Sequence, residues 1–108
     1  MQDLEMICFK MISNLGAARS LFMEALQAAK AYEFDKARQL IEEGESYRLK
    51  GHDVHFELLS KESSGEGENV TLLLLHAEDQ LMSSEIIKLL AEETIGVYET
   101  FHQFENND

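Results

Sequence analysis

Apolar residues recur at intervals of three and four along most of the chain, as they do along one face of an α-helix. Residues 3–31 carry the first such face, made of Leu4, Ile7, Met11, Leu15, Ala18, Phe22, Ala25 and Ala29. Residues 34–61 carry the second, made of Ala37, Leu40, Gly44, Tyr47, Gly51, Val54 and Leu58. Because glycine disfavours a helix interior, we expect the two glycines of this face to mark the close approach of another helix.

A third helix is predicted for residues 70–104. Its apolar face, here called the Leu72 stripe, consists of Leu72, Leu75, Asp79, Met82, Ile86 and Leu89. Residues 70–75 alone would suit a buried strand, but the segment continues for about thirty residues without a turn signal, which favours a helix. Four glutamates recur every seven residues and are expected on the opposite, solvated side: Glu78, Glu85, Glu92 and Glu99.

Short connections should join the three helices. The first falls near residues 32–35, and the second is the small, polar, glycine-rich segment 63–69. Connections this short join antiparallel neighbours, so the sequence predicts an all-α, up-down-up three-helix bundle in a single domain, residues 1–108. One short domain cannot fully cover the Leu72 stripe, which predicts self-association.

The charge is strongly negative and unevenly distributed. The net charge is −12, and residues 62–108 carry eleven acidic residues and one basic residue, Lys88. Such a surface repels phosphate backbones and anionic lipids, which argues against nucleic acid and favours a basic protein partner. No apolar run is long enough for membrane insertion, and the N-terminus lacks the basic start of a secretory signal. We therefore expect a cytoplasmic protein, with the single Cys8 as a buried thiol.

Two residues of the third helix stand out chemically. Asp79 occupies a position of the Leu72 stripe where leucine is expected, so its carboxylate needs a donor, a cation or water. A polar residue that fixes register or oligomer number is the alternative. His76 lies one turn before Asp79 and Gln80, at the margin of the stripe. A partly exposed histidine there can act as a nucleophile or general base, and a purely structural histidine is the alternative.

The other three histidines give weaker signals. His52 and His55 have a spacing that can bind zinc but lack a third ligand, and His102 is expected on the surface near the C-terminus. The sequence contains no glycine-rich phosphate loop, no Ser/His/Asp arrangement and no zinc-protease motif.

Three segments resemble the lactose/cellobiose-specific IIA component of the bacterial sugar phosphotransferase system, in the family's order over nearly the whole chain. Gly16-Ala17-Ala18-Arg19-Ser20 is similar to Gly-x-Ala-Arg-Ser. Phe34 and Ala37 resemble an Asp-Phe-x-x-Ala signature, with Gly51-His52 where Ala-His is usual. The most specific match is His76-Ala77-Glu78-Asp79-Gln80-Leu81-Met82, which resembles His-Ala-Gln-Asp-His-Leu-Met.

This resemblance implies a homotrimer in which His76 is phosphorylated. His76 would receive phosphate from the histidine-containing phosphocarrier protein and pass it to a cysteine of a IIB subunit, for uptake of a β-linked disaccharide. Asp79 would bind a structural divalent cation such as Mg²⁺ on the three-fold axis, one carboxylate from each subunit. The segment 65–67 is more similar to cellobiose or chitobiose members than to lactose members.

Two departures from the family pattern lie beside His76. Glu78 replaces the usual glutamine and adds a negative charge, whereas Gln80 replaces the usual second histidine and cannot titrate. They keep a second hypothesis open, a non-catalytic trimeric regulatory or oligomerisation module derived from this family. The sequence assigns no role to Arg19, Ser20 or His52, which match the family pattern.

Overall fold

The computed structural model describes residues 3–65, 67 and 70–107, which contain three helices. These are α1 (Leu4–Lys30), α2 (Phe34–Ser63) and α3 (Leu72–Asn106). Each helix end lies within two residues of its predicted place. The segment that could have passed for a strand is helical from Leu72 onward. Of the predicted second connection, Glu66, Glu68 and Asn69 lie outside the described residues.

Side-chain caps determine where two of the helices begin. At the start of α1, Oδ1 of Asp3 accepts a hydrogen bond from the amide of Met6 at 2.9 Å. At the start of α3, Oγ1 of Thr71 accepts one from the amide of Leu74 at 3.1 Å. Each cap satisfies an amide that has no partner within the helix. The extended backbone of Thr71 explains why α3 begins at Leu72 rather than two residues earlier.

A three-residue turn connects α1 to α2. Tyr32 adopts the left-handed conformation, with a φ of 62°, which a residue with a Cβ rarely occupies. The amides of Tyr32 and Glu33 donate to the carbonyls of Ala29 and Ala28, the pattern of a Schellman motif. The Tyr32 hydroxyl also donates to Glu105 of α3 at 2.8 Å, which helps to hold a tyrosine where glycine is usual.

The packing at the two ends establishes an up-down-up bundle 63 Å long and 19 Å wide. Residues that pack together at one end include Cys8 of α1, Val54 of α2 and Leu81 of α3. Those at the other end include Ala29 of α1, Ala37 of α2 and Ile95 of α3. Helices α1 and α3 therefore run parallel, and α2 runs antiparallel to both. None of the helices described is long and apolar enough to cross a membrane.

The inward faces of α1 and α2 are those that the sequence predicted, including the two glycines. A Cβ atom added to Gly44 would lie 2.6 Å from Cε1 of Phe22, and one added to Gly51 would lie 2.7 Å from Cδ2 of Leu15. Both distances are far below van der Waals contact, and both neighbours are fully buried. The predicted close approach of another helix, here α1, is confirmed.

Alanine at either of these positions is expected to destabilise the protein, although alanine favours a helix. The helical gain is about 1 kcal/mol, whereas overpacking a filled core costs about 1–3 kcal/mol. We expect Gly44→Ala and Gly51→Ala to lower the free energy of unfolding measured by urea denaturation. Gly16→Ala is the matched control, because a Cβ there meets nothing within 4 Å. An equal gain in stability for all three variants would contradict the close approach.

Helix α3 does not use the Leu72 stripe as its inward face. Its buried residues are Ala77, Leu81, Ser84, Ala91 and Ile95. All six residues of the stripe are exposed; Leu72 is 84% exposed and Ile86 57%. Small residues let α3 lie close to its neighbours, and seven of the thirteen buried apolar residues in the described chain are alanines. The prediction that one domain does not fully cover the stripe is therefore confirmed, and within one chain the stripe is left entirely exposed.

The exposed apolar surface continues to the end of α3 with a shift of one residue. A strict alternation of three and four beyond Leu89 would reach Glu93, Gly96 and Thr100. The exposed apolar residues that follow are instead Leu90, Val97, Phe101 and Phe104. A straight helix has 3.6 residues per turn, so apolar residues that stay on one side of it must shift relative to a strict seven-residue repeat. Without such a shift, the repeat of 3.5 residues would require the helices to supercoil.

The four glutamates at seven-residue spacing are only partly a solvated stripe, since Glu85 and Glu92 are exposed whereas Glu78 and Glu99 are half-buried. Their partners are His55 for Glu78, Arg48 for Glu85 and Arg38 for Glu99, all on α2, and Lys88 for Glu92. The prediction is confirmed for Glu85 and Glu92 and wrong for Glu78 and Glu99, because α2 packs along this side of α3 and supplies their partners.

Candidate functional site

His76 lies in the second turn of α3 with its side chain exposed. The next residue, Ala77, is fully buried and packs in a cluster with Met11, Leu15 and Leu81. The backbone at His76 is therefore anchored by the core while the imidazole faces outward. The predicted exposure of His76 is confirmed, and the ring is accessible to a second protein.

One turn further along α3, Gln80 contacts α1. Nη1 of Arg19 donates a hydrogen bond to Oε1 of Gln80, and both side chains are half-buried. Residues four apart on a helix are neighbours on its surface. The contact therefore holds the guanidinium of Arg19 on the flank of α3 that carries His76.

On the other flank, Glu78 contacts α2. Its Oε1 lies 3.0 Å from Nε2 of His55. The expectation that Glu78 belongs to a solvated acidic surface is wrong for this reason.

Cys8 is buried as predicted. Burial, with a smaller contribution from the charge of Glu78, raises the pKa of the Cys8 thiol, which favours the protonated, unreactive form.

Asp79 lies exposed on the Leu72 stripe between Leu75 and Met82. Within the described part of one chain, no three His, Cys, Asp or Glu side chains are arranged to hold a metal ion. A single chain supplies one carboxylate at this position, and a carboxylate oxygen suits a hard divalent cation. A cation shared between copies is thus compatible with the donor but stays a prediction.

The remaining histidines are placed differently from His76. His52 is exposed on α2, and His55 is half-buried against Glu78. His102 was expected on the surface but is half-buried, with its ring 4.3 Å from that of Tyr32 and 5.8 Å from that of Phe34. That prediction was wrong because α3 remains helical through this region and the α1–α2 turn packs against it.

An ionic cluster centred on Glu45 lies between α2 and α3. Arg48 donates to Glu45 at 2.6 Å, and Nζ of Lys88 lies 3.2 Å from the same carboxylate. The hydrogen bond from Arg48, with help from Lys88, holds the pKa of the Glu45 carboxyl below its usual value. Both cations of this cluster are therefore neutralised by a nearby carboxylate.

Comparison with known proteins assigns the chain to a family. A model of the lactose/cellobiose-specific IIA subunit of the phosphotransferase system (PTS) matches residues 6–99. The chain belongs to this IIA family. One IIA relative, the oligo-β-mannoside-specific EIIA component of Bacillus subtilis, is 41% identical over 96 residues, covering 89% of this chain and 87% of the relative. The lactose-specific EIIA component of Staphylococcus epidermidis is 35% identical and covers 89% and 92%.

Solved structures of IIA proteins share the fold. The PTS cellobiose-specific enzyme IIA from Bacillus anthracis superposes with a TM-score of 0.90 at 35% identity, covering 95% of both chains. The IIA(chitobiose)–HPr complex of the Escherichia coli phosphotransferase system gives a TM-score of 0.83 at 29% identity, covering 94% of this chain and 99% of that one. The all-α three-helix fold predicted from the sequence is confirmed.

Both departures from the family pattern beside His76 form side-chain hydrogen bonds with other helices. Glu78 is bonded to His55 of α2, and Gln80 is bonded to Arg19 of α1. The sequence drew attention to Arg19 through its motif, but nothing in it indicated the contact with Gln80. For the pairing of His55 with Glu78 the sequence carried no signal.

Proposed function

We propose that this IIA chain is a phosphocarrier of a sugar phosphotransferase system, working in the cytoplasm. His76 accepts a phosphoryl group from the histidine-containing phosphocarrier protein (HPr) and passes it to a cysteine of a IIB subunit. The sugar is a β-linked disaccharide, of the cellobiose or chitobiose type. The observation that carries the proposal is an exposed histidine on an anchored turn of α3 in a member of the IIA family. The IIA(chitobiose)–HPr complex among the structural neighbours supports the choice of donor.

The transfer is an exchange between two imidazoles. The lone pair of a neutral His76 ring nitrogen attacks the phosphorus of the donor's phosphoimidazolium, in line with the leaving nitrogen. One N–P bond forms as the other breaks, and the donor leaves as neutral imidazole while His76 becomes the phosphoimidazolium. In the second step a cysteine thiolate of the IIB subunit attacks, the N–P bond breaks, and His76 returns to neutral imidazole. The protein contributes positioning and charge stabilisation to both steps.

We further propose that three copies assemble through the Leu72 stripe and its continuation at the end of α3. Large apolar side chains are exposed along the whole helix, from Leu72 to Phe104. A contiguous apolar surface of this length is unusual on a monomeric protein and marks an interaction site. In a trimer formed through this face, the three Asp79 carboxylates lie near one axis.

A divalent cation such as Mg²⁺, held by the Asp79 carboxylates, would supply the charge that keeps them together. At ~5 Å and an effective dielectric of ~20, each pair of carboxylates repels by about 3 kcal/mol. We therefore expect a chelator to lower the melting temperature of the wild type near neutral pH. Asp79→Leu should remove the dependence on metal and leave a trimer at least as stable as the metal-free wild type. Equal melting of the wild type with and without chelator, together with an Asp79→Leu variant that dissociates, would contradict the axial cation.

The phosphocarrier role is tested by direct transfer. The purified chain is mixed with phosphorylated HPr, and we expect one acid-labile, base-stable phosphoryl group per chain, as phosphohistidine gives. Addition of a IIB subunit should then remove the label from this chain. A trimer that takes no label would instead support the non-catalytic module as its function.

A further inference from the structure

A phosphoryl group on His76 enters acidic surroundings. Glu78 and Asp79 are two and three residues away, and residues 62–108 carry only one basic residue. That residue, Lys88, lies twelve positions further along α3, about 18 Å away, and it pairs with Glu45 and Glu92. A group with a charge near −2 therefore needs a cation from another helix.

Of the three arginines, only Arg19 has a charge that is not neutralised by a carboxylate in the described part of the chain. Arg38 pairs with Glu99, and Arg48 pairs with Glu45 and Glu85. Arg19 instead donates to the amide oxygen of Gln80, which carries no net charge. Its positive charge is thus available to an anion.

The position of Arg19 suits a group bound to His76. Gln80 follows His76 by one helical turn on the same flank, so their Cβ atoms lie about 5–6 Å apart. The contact with Gln80 uses Nη1, and a guanidinium has five N–H donors in a planar fork that fits phosphate oxygens. A phosphoryl group on the His76 ring would project into the space beside this fork.

We propose that Arg19 binds the phosphoryl group during its transfer to His76, and that Gln80 positions the guanidinium for this role. The proposal rests on the proposed function. The bonds that form and break during the transfer are the same as in that function. Arg19 neither gives nor takes a proton; it donates hydrogen bonds to phosphoryl oxygens while charge is spread over them. Gln80 suits this role because its oxygen accepts from Arg19 without neutralising it, which a carboxylate would do.

The experiment measures the rate of phosphoryl transfer from phosphorylated HPr as a function of donor concentration. We expect Arg19→Gln to lower the maximal rate on the order of 100-fold, with a smaller change in the donor concentration for half-maximal rate. Arg19→Lys should restore part of the rate, because it keeps the charge but loses the fork. The matched control is Arg38→Gln, which also removes a bond between helices, at a site 23 residues along α3 from His76. It should transfer at the wild-type rate.

Gln80→Glu separates this role from a purely structural one. If the contact only clamps α1 to α3, the variant replaces a hydrogen bond with an ion pair and keeps the wild-type rate of phosphoryl transfer. If the phosphoryl group needs the guanidinium, the new carboxylate neutralises it. We therefore expect the transfer rate to fall at least 10-fold, with unchanged helicity and melting temperature. The loss should shrink in the Arg19→Gln background, as for two residues that act together. This variant also decides the question if Arg19→Gln does not fold.

Three results would overturn the proposal. The first is transfer at the wild-type rate by Arg19→Gln, and the second is transfer at that rate by Gln80→Glu. In both cases the proposed phosphocarrier function would still hold, provided that the wild type is labelled. The third is a wild type that takes no label, which would overturn the proposed function as well.

Discussion

Replacing His76 by alanine is expected to reduce phosphorylation by HPr to background. The transfer requires a ring nitrogen with a free lone pair that a second protein can reach, and no backbone group can replace it. His76 is exposed on an anchored helical turn, with Arg19 held beside it through Gln80. The measurement is incorporation of labelled phosphate into the purified variant.

The other three histidines provide matched controls, and their alanine variants should keep the label. His55 is occupied by Glu78, and His102 is packed between Tyr32 and Phe34, about 39 Å along α3 from His76. His52 is exposed, so it is the most demanding control. Label that survives His76→Ala and disappears in His52→Ala would show that the nucleophile is on α2.

Introducing a charge into the Leu72 stripe is expected to dissociate the assembly. At micromolar concentration we expect the wild type to elute with three times the chain mass of 12.3 kDa. Ile86 is 57% exposed near the middle of the apolar surface that runs from Leu72 to Phe104, and burying such a side chain contributes about 1.5–3 kcal/mol per copy. Ile86→Glu loses this burial and places three carboxylates together. Size exclusion coupled to light scattering should then report the monomer mass.

Met23→Glu is the control for this variant. Met23 is similarly exposed, at 47%, but lies on α1 away from the stripe, and its substitution should leave the trimer intact. A wild type that remains monomeric at high concentration would remove both the trimer and the shared site at Asp79. Dissociation by Met23→Glu and not by Ile86→Glu would place the interface on α1.

The sequence predicted the number, order and approximate ends of the helices because long apolar periodicity without proline admits few alternatives. It also predicted the inward faces of α1 and α2, where large residues alternate with the two glycines. On α3 it identified the large apolar residues that one domain does not cover, but it missed the inward face, which includes Ala77, Ser84 and Ala91. Apolar periodicity identifies a face that avoids water but does not say whether the partner is the same chain or another copy.

The candidate site was predictable only where one helix suffices to define it. His76 and Asp79 share a turn of α3, so helical geometry placed them correctly relative to each other. The contacts of Gln80 with Arg19 and of Glu78 with His55 join residues 61 and 23 positions apart. They depend on the relative rotation of packed helices, which periodicity alone does not fix. The same dependence hid the ionic partners of the glutamates of α3.

The many alanines in the interior of one chain have a thermodynamic consequence. An alanine buries little apolar surface, so each chain gains modestly from its own packing, and the large side chains exposed on α3 would be buried only in the proposed trimer. In the proposed assembly, folding and association are then linked, because one trimer would unfold to three separate chains. By mass action, dilution favours the unfolded state, so the melting temperature should fall as the protein concentration is lowered.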